Sequence, residues 1–549
     1  MKDFSILIAG KAGDGVDKSS LIIGEILAQL GYRIYIYRDY PSVIRGGHTF
    51  SIIRCAKNKI AAHENIVDVL LALNQDSIDL HKSRLSAKAI IIYDSGAVKS
   101  DLGFGIPIGE IIKEVKAIDL MRNSCIIGAM CKSIGVEKGI LEKIFRENIT
   151  RELDLNLKVA FLGFDRLEEV IKIEKLDQRI LPVVTGNEAI GKGFIKGGMK
   201  TYIAYPMTPV SGVLHYLAAV SEEFSLNIIH PENEIAVMLM AMGFSYAGTR
   251  VAVGSSGGGF CLMTEGLSFS GMAELPVVVL LGQRPGPSTG LPTYTGQTEL
   301  NFALSAGQGE FTRFVVAPGD AEEVYYWSAL SMNLAWKYQI PAIILCDKTL
   351  NEGAYSFDIG LAGEINGPEP LLWSKSGEYK RYENVKNGIS PLAFPSEKGA
   401  VVKVNSYEHD EAGITTEDKD LTTAMQDKRL RKAKYLLEEL EQYETVKVYA
   451  KKDASTAILC WGSNKGVCVE VGDKLGLRVV QPTVFSPFLL KQFKEAIKGV
   501  KKIICVENNA AGQLADFVKF HGIDVDDRVL KYDGRPFTPA ELEQKIKAR

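Results

Sequence analysis

Short, uninterrupted apolar segments recur along the chain, and stretches with helical spacing of their apolar residues lie between them. Apolar runs of about four to eight residues are typical of strands buried on both faces, as in parallel sheets. Alternation of such runs with helices is typical of open sheets with helical crossovers. The runs are residues 6–9, 69–73, 89–93, 200–204, 251–253, 277–281, 342–346, 457–461 and 502–506, and the helical stretches include 19–30 and 234–247. The pattern predicts an α/β chain with three open, mostly parallel-sheet domains.

The runs fall into three blocks, which predict the domain boundaries. We expect α/β domains over residues 1–175, 180–355 and 446–549. Residues 356–445 differ, because glycine, proline and polar residues dominate until a charged helical stretch, residues 427–439, begins. We interpret this region as a long connector that lies on the other domains, with its run of charges on a solvated helix face.

Composition excludes several classes of function. Of 549 residues, 46% are hydrophobic and 24% charged, and the formal net charge is -3, so there is no excess of basic residues for binding nucleic acid. No segment approaches the roughly 18 apolar residues of a membrane span, and the N-terminal run is too short for a secretion signal. We therefore expect a cytoplasmic chain. The eight cysteines include no Cys-x-x-Cys pair, so we expect buried core cysteines and no iron–sulfur cluster in this chain.

Two glycine-containing loops lie in the first block. Residues 10–16 join the first run to the first helix, where glycines allow backbone N–H groups to approach a phosphate. The spacing matches neither Gly-x-Gly-x-x-Gly nor a P-loop, so a tight strand–helix turn is favoured over a nucleotide site. Residues 40–48 combine Arg45 with two glycines, and are a candidate anion site or interface loop.

In the second block, two prolines fix the loop that follows the run at 200–204. The loop reads Tyr205-Pro206-Met207-Thr208-Pro209. A hydroxyl held between prolines is suited to contact a substrate or cofactor. The alternative is a proline-ordered turn whose Thr208 caps the next helix, and the loop by itself favours that alternative.

Glu234 stands at the start of an apolar helical stretch with almost no polar face. A carboxylate that enters a buried helix is costly unless it has a partner. A glutamate that shares its proton with a bound cofactor is one explanation, and an acid that interacts with the helix macrodipole is the other. For Glu232 the macrodipole is the better explanation, whereas for Glu234 the two stay open.

Two more loops of this block follow predicted strands. The first contains Ser256 and Gly257 within Ser255-Ser256-Gly257-Gly258-Gly259, whose glycines permit close approach of a ligand or a neighbouring chain. The second, residues 282–293, contains three prolines and three glycines and includes Arg284, Ser288 and Thr289. An ordered loop at the carboxyl end of a strand is the usual position of a binding site in open α/β sheets.

The connector contains one cluster of potential metal ligands, residues 408–411 with the sequence Glu-His-Asp-Glu. Four adjacent residues rarely face one point, so we expect a solvated or interface loop there and no metal site.

The order and joint presence of these motifs resemble the 2-oxoacid:ferredoxin oxidoreductases, and specifically the large (alpha) subunit in which a gamma domain is fused ahead of the alpha portion. The resemblance spans nearly the whole chain. Residues 10–15 and 45–48 resemble the gamma domain; 205–209, 232–236 and 286–293 the pyrimidine-binding domain for thiamine diphosphate; 387–391, 408–411 and 415–418 the connector; and 461–463, 507–514 and 533–537 the transketolase C-terminal-like domain.

The resemblance implies oxidative decarboxylation of a 2-oxoacid such as 2-oxoglutarate or pyruvate with coenzyme A, and transfer of the electrons to ferredoxin. It implies that thiamine diphosphate is shared with a beta subunit that binds Mg²⁺ and a [4Fe-4S] cluster, in a heterodimer or a dimer of heterodimers. Glu234 and Thr208 would be catalytic, with Glu234 at the aminopyrimidine ring. The other implied contacts are Tyr205, Pro206, Ser256 and Gly257 to the cofactor, and Thr208, Arg284, Ser288, Thr289, Tyr294 and Arg45 to the substrate.

Two positions depart from the family pattern. Tyr294 stands where members acting on 2-oxoglutarate or on a range of 2-oxoacids often have a basic residue, and a phenol lacks the charge-assisted grip of a guanidinium. Arg284 and Arg45 are candidates to replace it. Gly258 stands where proline is commoner, which loosens its loop. Two alternatives stay open: a non-catalytic paralogue that binds a partner, and a nicotinamide-dependent dehydrogenase built on the residue 10–15 loop.

Overall fold

The computed structural model describes residues 3–43 and 46–549. Its strands are β1 (Asp3–Lys11), β2 (Arg33–Asp39), β3 (His48–Ala56), β4 (Val67–Ala72), β5 (Leu85–Asp94), β6 (Phe104–Ile106), β7 (Val183–Thr185), β8 (Thr201–Ala204), β9 (Asn227–Ile229), β10 (Val251–Ser256), β11 (Val277–Gln283), β12 (Phe314–Val316), β13 (Pro341–Asp347), β14 (Ala354–Ser356), β15 (Val446–Ala450), β16 (Thr456–Cys460), β17 (Arg478–Pro482), β18 (Val484–Ser486), β19 (Lys502–Glu507) and β20 (Asp527–Leu530).

Helices alternate with these strands over most of the chain. They are α1 (Val16–Ala28), α2 (Gln75–Asp79), α3 (Ile108–Glu114), α4 (Arg122–Ser133), α5 (Lys138–Asn148), α6 (Leu153–Phe164), α7 (Gly186–Lys196), α8 (Ser211–Ala219), α9 (Ser221–Phe224), α10 (Glu234–Tyr246), α11 (Gly257–Ala273), α12 (Leu300–Ser305), α13 (Ala321–Tyr338), α14 (Lys348–Glu352), α15 (Ile359–Ala362), α16 (Lys419–Leu440), α17 (Asn464–Leu475), α18 (Leu490–Ala496), α19 (Gln513–Phe520) and α20 (Pro539–Lys547), with short 3₁₀ helices at Lys82–Arg84 and Asp119–Met121. The predicted alternation of strands and helices is confirmed.

Contacts divide the chain into two compact units. The first unit runs to Thr185 and includes Glu352–Asp358 and Thr538–Glu541, and the second comprises Gly186–Asn351, Ile359–Phe537 and Leu542–Arg549. The four domain boundaries drawn from the sequence stay a prediction.

The first unit is built around a mixed sheet. In the part of it that the structure describes, the strand order is β6-β5-β4-β1-β3-β2-β14-β7. Strands β1, β4, β5 and β6 pair in parallel, whereas β3, β2, β14 and β7 pair antiparallel. The antiparallel half was not predicted from the sequence. Asp39, where β2 ends, and His48, where β3 begins, are too close in the chain for the helical crossover that parallel pairing needs.

The second unit contains two sheets that share one hydrophobic core. The larger has the order β18-β12-β13-β11-β10-β8-β9 and is parallel except at β18, and the smaller has the order β15-β17-β16-β19-β20 and is parallel except at β15. Apolar side chains of both sheets, such as Val279 and Leu459, belong to the same buried cluster. The apolar runs that predicted strands are therefore buried on both faces, as expected for parallel sheets.

The connector contains little regular structure before α16. The prediction of a solvated charged face on this helix is wrong for Lys428, Arg429 and Lys432, which are all buried. They are buried because carboxylates of other segments meet them: Glu274 contacts both lysines and Glu408 pairs with Arg429. The prediction holds for other charges of the run, since Asp427, Lys434 and Glu438 are exposed. Spacing along a helix shows which charges share a face, but it does not show what that face contacts.

The prediction that the cysteines are buried in the core is confirmed for all but one of them. All eight are free thiols, and only Cys261 is exposed. Within the described ranges 3–43 and 46–549, no helix combines the length and the apolar character needed to cross a membrane.

Candidate active site

The carboxyl ends of β8, β10 and β11 lie side by side, because these three strands are parallel neighbours. The loop 205–209 leaves β8, the glycine loop leaves β10 and the loop 284–299 leaves β11. This edge is where open α/β sheets bind ligands. The topology thus brings together the three loops of the second block that were singled out from the sequence.

The loop that contains Thr208 packs directly on this edge. A side chain at Gly282 would come within 2.8 Å of the Pro209 ring, so the two segments are in close contact. The Thr208 carbonyl accepts a hydrogen bond from Nη1 of Arg284 at 3.1 Å. Pro206 is half-buried, whereas Tyr205 is exposed, with its ring centroid 5.8 Å from that of His230. The loop is therefore fixed by its own prolines and by Arg284.

Glu234 is the first residue of α10, and its carboxyl group is turned inward. Asn233 caps the helix by accepting a hydrogen bond from the N–H of Ala236, so the cap does not use Glu234. Glu234 is only 4% exposed. Its one hydrogen bond within the described part of the chain is a long one, 3.4 Å from Ser255 Oγ, and no cation there pairs with it. A buried carboxylate with so little compensation is costly, and this favours a ligand partner over a purely helical role.

The apolar sequence of α10 had suggested a helix buried on all sides, but one face of it is exposed. Ile235, Leu239 and Met240 are exposed, and Leu262 of α11 is exposed as well. A groove of about 1220 Å³ runs along this face and is lined by residues of α10, α11 and the segment 305–311. An apolar patch beside a binding edge is typical of a surface that another chain covers.

The start of α11 approaches both Glu234 and a second carboxylate. A side chain at Gly259 would collide with Glu234 Oε1, and one at Gly257 would lie 2.7 Å from Glu299 Oε1. Ser256 caps the helix without a side-chain hydrogen bond, and its buried hydroxyl has no partner among the described residues. The glycines thus bring uncapped N–H groups and an unused hydroxyl to the same edge.

The second carboxylate, Glu299, was missed in the sequence. It is buried, and Oε2 makes no hydrogen bond to any residue that the structure describes. Burial raises the pKa of Glu299 to about 7, and neighbouring Thr298 and Arg284 offset only part of this rise. Glu299 precedes the short helix α12 and resembles an ordinary acid at a helix start, so its sequence context gives no signal of burial.

The loop after β11 places its polar residues differently. Arg284 is half-buried against Thr208, and burial lowers the pKa of its guanidinium. Ser288 and Thr289 are exposed, and the carbonyl of Ser288 lies 4.0 Å from the position of a Cβ built on Gly258. The structure therefore brings Arg284 and the backbone of Ser288 to the edge. Tyr294 lies farther along the loop and is half-buried.

Segments of the smaller sheet hold the end of this loop. Gln297 accepts hydrogen bonds from Asn464 Nδ2 and from the N–H of Asn508, and donates to the carbonyl of Trp461. Thr295 donates from its N–H to the carbonyl of Gly534. The motifs at 461–463, 507–514 and 533–537 thus support the candidate site from behind, a role that the sequence did not reveal.

The first unit contains two loops that the sequence marked as candidate sites. Residues 11–15 form the tight strand–helix turn that was favoured: Asp14 accepts from the N–H of Lys11, and Gly15, with φ 76°, precedes α1. Arg45, predicted as a substrate contact, lies outside the described residues. In the connector, Glu408 pairs with Arg429 and Glu411 with Lys380, while Nδ1 of His409 meets the carbonyl of Tyr407. These side chains have different partners, so they do not face one point.

Comparisons with known proteins show the family to which the chain belongs. The family model described as "Pyruvate flavodoxin/ferredoxin oxidoreductase, thiamine diP-bdg" matches residues 192–427, and the one described as "Pyruvate ferredoxin/flavodoxin oxidoreductase" matches residues 5–166. The 2-oxoacid:ferredoxin oxidoreductase subunit alpha of Saccharolobus solfataricus is 30% identical over 99% of this chain and 97% of its own. The chain belongs to the 2-oxoacid:ferredoxin oxidoreductase alpha subunits.

Further relatives agree with this membership. One relative is 2-oxoacid:ferredoxin oxidoreductase 2, subunit alpha, of Aeropyrum pernix, which is 29% identical to this chain. The match covers 100% of this chain and 98% of the relative. A solved structure of 2-oxoglutarate:ferredoxin oxidoreductase from Magnetococcus marinus, with 2-oxoglutarate, coenzyme A and succinyl-CoA bound, matches with a TM-score of 0.89. It is 27% identical, and the match covers 100% of this alpha subunit and 99% of that chain. The predicted family and fold class are confirmed, while the roles of individual site residues stay predictions.

Proposed function

We propose that this alpha subunit forms half of an active site that decarboxylates a 2-oxoacid oxidatively. One 2-oxoacid, one coenzyme A and two oxidised ferredoxins would give one acyl-coenzyme A, one carbon dioxide, two reduced ferredoxins and one proton. The observation that carries the proposal is the buried Glu234 carboxyl group, which faces the glycine start of α11. Among the described residues it accepts a single long hydrogen bond, from Ser255. Such a group is stable at this place when a ligand shares its proton.

The described residues fit the aminopyrimidine end of thiamine diphosphate. Glu234 offers a buried carboxyl oxygen, Gly257 a backbone that lies beside Glu299, and Ser256 a buried hydroxyl without a partner among the described residues. Bound thiamine diphosphate supplies the nucleophilic carbon and the electron sink that decarboxylation of a 2-oxoacid requires. We assign to Glu234 the task of holding and returning a proton at the ring nitrogen. Tyr205 and Pro206 would line the pocket on the side of β8.

Thr208 and Arg284 are suited to position the reacting part of the substrate. Arg284 fixes the Thr208 loop through its hydrogen bond to the carbonyl, and it keeps further N–H donors for a carboxylate. The Thr208 hydroxyl makes no hydrogen bond within ranges 3–43 and 46–549, so it can donate to a substrate oxygen. A chain that covers this edge would strengthen both interactions by excluding water.

We assign the exposed apolar face of α10 and α11 to contact with a beta subunit. The face borders the half-site at Glu234, so a chain docked on it would complete and close the pocket. We place the diphosphate, Mg²⁺ and a [4Fe-4S] cluster on that subunit, with ferredoxin as the electron acceptor and a heterodimer or dimer of heterodimers as the assembly. We propose that the complex works in the cytoplasm.

Co-expression with a beta-type chain tests this function. The purified complex is assayed for coenzyme A-dependent reduction of ferredoxin or viologen with pyruvate, 2-oxoglutarate, branched-chain and aryl 2-oxoacids. We expect reduction with at least one of them, and loss of it when thiamine diphosphate is withheld. Absence of coenzyme A-dependent reduction with all of them would disprove the proposed function.

A further inference from the structure

The carboxyl group of Glu299 lies against the start of α11 and does not serve its own helix. Glu299 precedes α12, but its side chain makes no hydrogen bond that caps this helix. The backbone is held by Gln283, whose Oε1 accepts from the N–H of Glu299 at 3.3 Å. The side chain is directed to α11 instead, where a Cβ built on Gly257 would lie 2.7 Å from Oε1 of Glu299. Glu299 therefore does not have the usual capping role of an acid at a helix start.

Glu299 and Glu234 lie against the same turn of α11. The Glu299 carboxyl group packs on Gly257, and a side chain at Gly259, two residues later, would collide with Oε1 of Glu234. Ser256, just before these glycines, is fully buried, and its hydroxyl has no partner among the described residues. Glu299 is thus a direct neighbour of the groups from which the proposed function is built.

Two positive elements lie beside Glu299. One is the guanidinium of Arg284, which acts electrostatically on the Glu299 carboxyl group but forms no ion pair with it in the described part of the chain. The other is the start of α11, whose N–H groups are not capped by a side chain and favour an anion. The other side chains that interact with Glu299, those of Gln283 and Thr298, are uncharged. Both positive elements attract whichever anion is present, the Glu299 carboxylate or the carboxylate of a ligand.

Burial favours the neutral form of Glu299. The residue is 8% exposed, and its Oε2 makes no hydrogen bond to a described residue, so ionisation is costly. Burial raises the pKa of Glu299 to about 7, and Thr298 and Arg284 offset only part of this rise. A 2-oxoacid is itself an anion, and Glu234 already places one acid on this turn. Binding the substrate beside an ionised Glu299 would bring like charges together at a buried place, which protonation of Glu299 avoids.

We propose that Glu299 takes up a proton when the anionic 2-oxoacid binds, so that substrate and proton bind to this edge together. The inference rests on the proposed function, and it adds a proton link to the binding step of that function. The proton comes from the solvent, and no bond of the substrate changes in this step. Glu299 is therefore a positioning residue: its neutral form leaves Arg284 and the start of α11 to the substrate carboxylate.

The pH dependence of KM for the 2-oxoacid tests the proposal in the complete complex. The substrate is the 2-oxoacid of the panel above with the highest kcat/KM, and coenzyme A is saturating. We expect the wild-type KM to rise at least about 10-fold from about pH 6 to about pH 8.5, because the fraction of Glu299 that holds a proton falls over this range. In Glu299→Gln, which is neutral at every pH, KM should stay within about threefold of the wild-type value at pH 6. The two proteins should differ in KM and not in kcat, since the proton link acts on binding.

Further variants separate the charge of Glu299 from its place in the fold. Glu299→Asp keeps a titrating carboxyl group and should keep a rise of KM with pH. Glu299→Leu is neutral and suited to a buried position, so it should give the flat curve if Glu299→Gln does not fold. Glu232→Gln is the matched control, because it removes one negative charge at an exposed position near the start of α10. It should reproduce the wild-type curve.

The possible outcomes distinguish this proposal from the proposed function. A wild-type KM that does not change with pH, or one that rises equally in Glu299→Gln, would overturn the proton link, although the proposed function would stand. Coenzyme A is an anion too, so its KM is measured at each pH at a saturating 2-oxoacid concentration. A rise confined to KM for coenzyme A would also overturn the link to the 2-oxoacid. Absence of turnover with any 2-oxoacid would instead refute the proposed function.

Discussion

Buried carboxyl groups lie beside both ends of helix α11, and the two ends differ in how many partners these groups have. At its start, Glu234 and Glu299 are buried with few hydrogen bonds and no ion pair within the described ranges. At its end, Glu274 is 1% exposed and meets Lys428 at 2.7 Å and also Lys432. The same type of group therefore lacks partners at one end and has several at the other.

The end that contains Glu274 is complete without a ligand. Although burial alone would raise it, Lys428, Lys432 and Arg381 hold the pKa of Glu274 well below its usual range. Arg381 also donates to the carbonyl of Glu274 at 2.7 Å. These contacts bind the connector and α16 to the end of α11, which is a structural task. A buried charge whose partners all come from its own chain needs no ligand to explain it.

The start of α11 is different, because polar groups beside it lack hydrogen-bond partners in the described chain. Glu234, Ser256 and Glu299 lie at the binding edge of a parallel sheet, and the described chain does not satisfy them. Buried polar groups without partners are rare and costly, and they are frequent at functional sites. The comparison teaches that the number of partners of a buried carboxylate, and not burial itself, separates a binding group from a structural one.

The largest effect on stability is expected at the end of the helix. Glu274→Gln leaves Lys428, Lys432 and Arg381 buried without their carboxylate, so the free energy of unfolding should fall by about 3–5 kcal/mol. Urea unfolding of the purified chain at pH 7 measures this difference. Glu265→Gln is the control, because Glu265 is exposed on the same helix, and it should change the free energy of unfolding by less than about 0.5 kcal/mol. If both variants unfold alike, the cluster does not have the structural task assigned to it.

The largest effect on activity is expected at the start of the helix. Glu234→Gln removes a proton-holding group but keeps its size, so kcat of the complex should fall at least about 100-fold. The free energy of unfolding should change by no more than about 1 kcal/mol, because the Glu234 carboxylate makes only one long hydrogen bond to the described residues. Glu232→Gln, at an exposed position two residues earlier, should keep full activity. Full turnover of Glu234→Gln would remove Glu234 from the proposed mechanism.

The two ends of α11 also show how far the sequence alone reaches. The start was found because Thr208 and the glycines lie in short motifs that follow predicted strands, and parallel pairing brings strand ends together. Glu234 was found because it is an acid at the start of an apolar helical stretch. The end was interpreted wrongly, because Glu274 and Lys428 are 154 residues apart and only tertiary packing joins them. Glu299 was missed for the same reason. Motifs report local order, whereas charge compensation is a property of contacts between distant segments.

The two ends should also respond to pH on opposite sides of neutrality, beginning with Glu299. Its pKa is about 7 in the folded chain against the ordinary 4.5, so between these values the folded chain holds a proton that the unfolded chain has lost. Stability therefore falls as pH rises from about 4.5 to 7, by at most about 3 kcal/mol. Glu299→Gln should flatten this part of the stability–pH curve, measured by urea unfolding without ligands, while Glu310→Gln at an exposed position should not. An unchanged curve would show that Glu299 is ionised in the folded chain.

The smallest effect on the free energy of unfolding at pH 7 is expected at the end of α11, where Lys428, Lys432 and Arg381 all face the single carboxylate of Glu274. Burial lowers the pKa of Lys432 to about 7, and Glu274 offsets only part of that fall. Between about 7 and its ordinary 10.5 the unfolded chain binds the extra proton, so the stability of the wild-type chain should rise with pH over this window. Lys432→Met should flatten that rise and, at pH 7, alter the free energy of unfolding by only about 1 kcal/mol in either direction, since Lys428 and Arg381 still face Glu274. Lys434→Met is the matched control, because Lys434 is exposed on the same helix and should leave the alkaline slope as it is. A steep loss of stability in Lys432→Met at neutral pH would mean that both lysines are needed to compensate Glu274, and the end of α11 would then be a balanced ion cluster instead of one with a surplus cation.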